Sequence, residues 1–218
     1  MIFKKLPFWR NYTTEHHRNW WTKRQIDWNQ AYLSTWNHPH RYVISAVLKN
    51  LNWFSLIEIG CGAGANLVNI VNNFKDRQLG GVDVNEEAIK VASKALTGAH
   101  LQVGRGDDVM MSDDSTDVIL SDMYLIYVGP RKIKKHLKEM KRLARKYVVL
   151  CEFSSNSWFK RMYVRMKSGY HAHDYQKLLT DMGFYGIQRY KLIPEMWPGG
   201  GWQEKVGYIY IAKVPRRK

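Results

Sequence analysis

The chain has 218 residues, with 34 Lys and Arg against 19 Asp and Glu, a formal charge of +15, and 45% apolar residues. That length predicts one domain with an appendage, and that apolar share excludes a disordered chain. The charge points to anionic company (nucleic acid, acidic lipid or an anionic substrate), but it speaks to association rather than fold.

Cys61 and Cys151 form neither a C-x-x-C pair nor a disulfide framework, so a reducing, cytoplasmic location is expected. Residues 1–12 lack the apolar run of a secretory signal, and no stretch reaches the roughly 18 apolar residues of a membrane span. Residues 1–45 are rich in Trp, His and Asn and read as a helical cap with one helix over 14–36. From residue 55 onward, β-branched runs alternate with helical stretches, the pattern of a mostly parallel sheet between helices. Strands are predicted at 55–60, 79–84, 100–104, 117–122 and 146–152, and helices at 64–74, 86–96 and 130–145. The last helix sets Ile133, Leu137, Met140 and Ala144 in one stripe, and its other faces are almost wholly basic. A mobile insert is expected over 154–170, then a helix at 171–182. Strands at 184–192 and 206–214, joined by a Pro/Gly-rich loop at 194–201, close the sheet as an antiparallel hairpin.

The sharpest signal is Glu58-Ile59-Gly60-Cys61-Gly62-Ala63-Gly64-Ala65-Asn66, a buried strand entering a glycine turn that opens a helix. Such a turn uses backbone angles closed to other residues and lets a ligand approach the main chain. The next strand ends in Asp83-Val84, where an acid accepts from both ribose hydroxyls of a nucleoside cofactor. On these residues two cofactor classes stay open, because Gly60-x-Gly62-x-x-Ala65 also satisfies the dinucleotide fingerprint of NAD and FAD proteins. With Glu58 and Gly64 added, the pattern becomes E-x-G-x-G-x-G, and the chain resembles the class I S-adenosylmethionine (SAM) dependent methyltransferases, small-molecule type, over about residues 50–214. Gly106-Asp107-Asp108 after the third strand and the approach to the fourth strand at 113–121 add to the resemblance.

The resemblance implies an α/β fold, a Rossmann-like three-layer sandwich, with a cofactor-binding domain over 46–218. It also implies SAM as cofactor and S-adenosylhomocysteine as product. On it, Gly60, Gly62 and Gly64 shape the cofactor turn, Glu58 and Arg41 serve the methionine end, Asp83 the ribose, and Asp107 and Asp108 the adenine, with Cys61, Asn66 and Val84 as further cofactor contacts. Ser121 closes the cofactor set. At the end of the fourth strand, Ser121-Asp122-Met123-Tyr124 lacks the prolines with which amino-methylating DNA enzymes grip a flipped base, and neither cysteine is placed for attack on a cytosine ring. Base methylation is therefore disfavoured. Direct in-line transfer to an O, N or C atom of a small organic acceptor remains, with a general base needed only for a protonated acceptor.

The catalytic candidates are Asp122, Tyr124 and His173, and the acceptor-binding candidates are Tyr127, His171 and Trp36. Each has a bland alternative: Tyr124 packing on a helix, the histidines capping or bonding at the surface, and residues 36–41 forming a structural joint. No metal site is expected, since His171, His173 and Asp174 lack spaced partners. The charge is uneven: +6 over residues 1–50, −6 over 51–130, +8 over 131–146 and +7 beyond. An RNA methyltransferase using the basic surfaces is the alternative reading, with Trp rings beside Arg18, Lys23 and Arg24 stacking on bases. A non-catalytic SAM- or nucleic-acid-binding protein is the third.

Overall fold

Seven strands form one sheet in the order β3-β2-β1-β4-β5-β7-β6. In the computed structural model, which describes residues 13–215, these are β1 Ser55–Ile59, β2 Gln78–Asp83, β3 His100–Val103, β4 Thr116–Asp122, β5 Ala144–Phe153, β6 Tyr185–Lys191 and β7 Gly207–Lys213. The first five pair in parallel, and β7 lies antiparallel between β5 and β6. The expected α/β sandwich with a closing hairpin is what forms.

Alternation along the strands decides the two cores. Ile57, Ile59, Ile119, Val148 and Leu150 face Ile133, Leu137 and Met140 of one helix and Tyr175 and Leu179 of another. Their strand neighbours Leu56, Val118, Leu120, Val149 and Cys151 face the opposite layer, where Ile44, Leu48, Leu67 and Ile70 pack. The helices are α1 Thr14–Thr22, α2 Trp28–Ala31, α3 Pro39–Lys49, α4 Ala65–Asn73, α5 Glu86–Ala95, α6 Ile133–Leu143, α7 Trp158–Ser168, α8 Tyr175–Asp181 and α9 Gly201–Val206.

Three expectations change. The single helix over 14–36 is broken: α1 stops at Thr22, and Asp27 starts α2 afresh by accepting from the Gln30 backbone N–H. The cap boundary at residue 45 falls inside α3, which starts on His38 and Pro39 and buries Ile44 and Leu48 in the sheet core. The expected mobile insert is the ordered helix α7, capped by Ser157 and ended by Gly169 at φ 78°.

Candidate active site

A cavity of about 910 Å³ opens at the carboxyl ends of β1, β2 and β4, roofed by α1 and α2. Ligands bind at this edge of parallel sheets, beside the point where strand order reverses, here between β1 and β4. On its floor, Gly60 and Gly62 take φ of 78° and 51°, and the Gly60 and Cys61 N–H groups both donate to the Val82 carbonyl, which ties the turn to β2. A Cβ on Gly60 would sit 2.6 Å from the Tyr124 ring, whereas one on Gly62 would meet nothing within 4 Å and would project into open space. Asp83 is braced at the ribose position: one carboxylate oxygen accepts from the Gly62 N–H and the other from the Asn85 N–H, both at 2.9 Å. Burial raises its pKa. Val84 and Cys61 also line the cavity, and the Cys61 side chain fills the space above Gly81.

Beside this turn, Asn66 on α4 donates to Glu58 Oε1 at 2.6 Å and to Asp122 Oδ2 at 3.0 Å, and it accepts from Arg41 at 2.5 Å. His40 Nε2 donates to the same Asp122 oxygen at 3.0 Å, and the His40 ring stacks on Trp197 at 3.8 Å. The two acids respond in opposite directions. Burial pushes Glu58 up to about 8. Burial acts the same way on Asp122, but the charges of His40 and Arg41 and the bonds from His40 and Asn66 hold it at about 2. Asp122 is thus a fixed anion and a poor base, which moves it from the catalytic candidates to the cofactor side. Glu58 Oε2 and Asp122 Oδ1 are buried with no hydrogen-bond partner among the described residues. Two buried carboxyl oxygens left without a partner beside a glycine turn would suit an ammonium group.

Tyr124 also changes role. Its ring lies against Gly60 and Gly106, its hydroxyl meets His136 Nδ1 at 2.9 Å, and burial raises its pKa. It is cradle floor, not a base. His136, held by burial at about 4, is a neutral partner that lines the same cavity. Met123, just before Tyr124, takes φ 51°, a strained angle for a side-chain-bearing residue. Glu152 at the end of β5 holds that bend: its Oε1 accepts from the Ser121 hydroxyl at 2.6 Å and from the Tyr124 and Leu125 N–H groups at 3.1 and 3.0 Å. Burial lifts Glu152 to about 8.

The remaining predicted residues separate. Ser121 is fully buried and spends its hydroxyl on Glu152, so it is no cofactor contact. Gly64 caps α4 at φ 81° beneath the turn, where it shapes without lining. Asp107 lines the cavity, with Arg105 and Lys135 overriding the effect of burial to hold its carboxyl well below the usual range, while Asp108 is exposed and outside the wall. Tyr127 and His171 do line the acceptor side, with Tyr127 raised by burial. His173 does not line it: Nε2 donates to the Val128 carbonyl at 2.8 Å, and burial holds the ring at about 3. It is a core histidine. Trp36 is also displaced from the wall, with its carbonyl accepting from Asn69. Trp21 and Trp28 take the place expected for it, and Trp21 packs against Tyr127 at 5.4 Å, followed by Tyr170 at 5.6 Å from Tyr127. Among the described residues no group of three His, Cys, Asp or Glu is placed to hold a metal.

Comparison with known proteins agrees with this geometry. Residues 56–147 match the family model of a methyltransferase domain. A SAM-dependent methyltransferase from Methanosarcina mazei is 21% identical with a TM-score of 0.61, covering 79% of this chain and 98% of its own. Magnesium protoporphyrin IX methyltransferase from Synechocystis, solved with S-adenosylhomocysteine, is 14% identical with a TM-score of 0.65, covering 92% and 99%. Phosphoethanolamine N-methyltransferase 2 from Haemonchus contortus gives 14% and 0.68, covering 92% of this chain and 60% of its own. No curated protein matches the sequence. Residues 56–147 thus resemble a methyltransferase domain, and the fold is the one shared by SAM-dependent methyltransferases.

The cradle fits that cofactor. Asp83 would hold the nucleoside of SAM, the unpartnered oxygens of Glu58 and Asp122 its ammonium, and Arg41 its carboxylate. A dinucleotide would instead set its pyrophosphate near the fixed anion Asp122, which repels it.

Proposed function

We propose that this protein transfers the methyl group of SAM to a small organic acceptor bearing negative charge. The observation that carries the reading is the continuity of the cavity. Past the cofactor cradle it runs on to an aromatic wall, Trp21, Tyr127 and Tyr170, and to a mouth with Arg18, Arg131, Lys132 and Arg165 against Glu15. Apolar walls with a few polar groups at one end suit an organic body with an anionic end.

Bound SAM supplies a methyl already activated by its sulfonium, so the residues have chiefly to align and to exclude water. Arg41, Asn66, Glu58 and Asp122 orient the methionine end, and Asp83 the ribose. Tyr124, pinned by His136, and Met123, held by Glu152, form the floor on which the acceptor meets the cofactor. No strong base stands on that floor: Asp122 is held at about 2, and His136 at about 4 is engaged with Tyr124. His171 is the wall histidine on the acceptor side. An acceptor that is already nucleophilic near neutral pH suits such a site.

The basic helix gives little support to an RNA substrate. Five of the nine cations over residues 131–146 have protein partners: Lys135 with Asp107, Lys141 with the Met182 carbonyl, Arg142 with Glu139 and Asp113, and Arg145 and Lys146, on β5, with Asp117. The Trp20 and Trp21 rings are likewise occupied by Arg24, 4.2 and 5.3 Å from their centres. The test is incubation with methyl-labelled SAM and fractionated extract. Label in small anionic metabolites is expected. Label in RNA alone overturns the acceptor assignment, and no label in any fraction favours a binding protein without turnover.

A further inference from the structure

Helix α7 carries its apolar face outward. Trp158, Phe159, Met162, Tyr163 and Met166 are all exposed, Phe159 by 73% and Trp158 by 58%, while Val164 alone is buried. At about 100° per residue these five side chains cover an arc of about 140° on the side opposite Val164. Lys160 and Lys167 border one edge of that arc, Arg161 and Arg165 border the other, and the helix has no acid. A helix that packs on a core ordinarily turns its apolar stripe inward. The inverted arrangement, an exposed apolar stripe between two rows of cations, is that of a helix lying in a membrane interface.

We propose that α7 docks this protein on an anionic lipid surface, with Trp158, Phe159 and Met162 entering the headgroup boundary and the flanking Lys and Arg side chains meeting lipid phosphates. Charge selects this occupant over others. A second copy packed through its own α7 brings the same two rows of cations, and residues 1–12 hold Lys4, Lys5 and Arg10 with no acid, so neither complements the cationic borders. Lys191 adds to the patch, standing close enough to Lys160 for repulsion to reinforce the effect of burial on its amine. Between the two anionic surfaces, the contiguous methionine and aromatic stripe suits acyl chains, whereas single-stranded nucleic acid is held by rings spaced along a backbone-tracking groove. Arg165 on α7 and Tyr170 just after it also line the cavity, so docking holds the cavity rim beside the lipid. That last consequence rests on the methyl-transfer reading, but the docking does not.

The test measures vesicle flotation of the full chain without SAM, so its failure and the failure of methyl transfer stay separable. Vesicles of phosphatidylglycerol in phosphatidylcholine are expected to carry the protein up, and pure phosphatidylcholine vesicles to carry at least tenfold less. The double variant Phe159→Ser, Met162→Ser keeps the charge and is expected to lose at least tenfold in partitioning at moderate salt. A Trp158→Phe variant reports insertion directly: quenching by brominated acyl chains is expected to fall relative to the parent. Equal flotation of the double variant, or equal quenching of Trp158→Phe, reduces any binding to general electrostatics and overturns the proposal. So does a protein that ignores anionic vesicles, or that binds polyuridylate through the same stripe instead.

Discussion

On the cofactor side of the cavity, Glu58, Gly60, Gly62 and Asp83 come from two consecutive strand ends joined by one helix. On the acceptor side, Trp21, Tyr127 and Tyr170 come from α1, the turn after β4 and the turn after α7. The first region is built mainly by backbone: positive-φ glycines, N–H groups aimed at a carboxylate, and a turn tied to its neighbouring strand. The second is built by side chains whose meeting depends on the whole fold. Substitutions should therefore act on the cofactor side through conformation and on the acceptor side through packing.

The largest expected effect breaks the turn itself. Gly60→Ala adds a Cβ 2.6 Å from Tyr124 at a positive φ, and it should cost about 3 kcal/mol in a urea melt and abolish SAM binding. Gly62→Ala sharpens the contrast, since its Cβ meets no protein atom. Stability should fall only about 1 kcal/mol, while SAM affinity drops about 100-fold, or about 2.7 kcal/mol. Equal losses of stability in the two variants would remove the claim that Gly62 is open for the ligand.

Next in size is the brace behind the floor. Glu152→Ala strands three donors, Ser121, Tyr124 and Leu125, and at about 1 kcal/mol each it should cost about 3 kcal/mol. Glu152→Gln retains an acceptor and should stay within about 1 kcal/mol of the parent. Chemical denaturation of both variants checks the order.

A smaller effect is expected from pH. Glu58 and Glu152, lifted by burial to about 8, keep their protons in the folded state between their ordinary range and pH 8, where the unfolded chain has lost them. Their contribution is complete below about pH 4.5 and declines as pH rises towards 8. His136 and His173, held at about 4 and 3, act in the other direction: the unfolded chain binds their protons below about pH 6.5 while the folded one does not. Their contribution is lost as pH falls from there. The melting temperature of the ligand-free protein should peak near pH 6, and Glu152→Gln should flatten the alkaline limb. A melting temperature that climbs steadily to pH 8 contradicts these assignments.

The same division explains what was legible in the chain. Leu56 to Asn66 and Leu79 to Asp83 state their strands, turn and helix locally, because glycine conformations and a β-branched run need no distant partner. The closing hairpin was legible for the same reason. The cap was not: the chain from Lys23 to Asp27 interrupts an amphipathic pattern that looks continuous until Asp27 is seen capping a new helix. His136 and Glu152 were missed although each carried a signal. His136 sits one position before Leu137 on the buried stripe of a basic helix, and Glu152 is the lone acid in the apolar run of β5. A polar group in an apolar row is a question about its partner, and here the partners are Tyr124 and the bend at Met123. His173 shows the reverse case, since a histidine beside a loop suggested chemistry and proved to be bonded to a backbone carbonyl in the core.

Whether the acid-lined glycine cradle takes SAM is read out by calorimetric titration of the full chain at pH 7 in two buffers of different ionisation enthalpy. Glu58 is mostly protonated before binding, and an ammonium placed against its orphaned oxygen favours the ionised form. One-to-one binding of SAM with release of up to about one proton is expected, a release that Glu58→Gln abolishes, with no heat from NAD. Binding of NAD at equal or higher affinity, or SAM binding whose heat is the same in both buffers, would contradict that expectation.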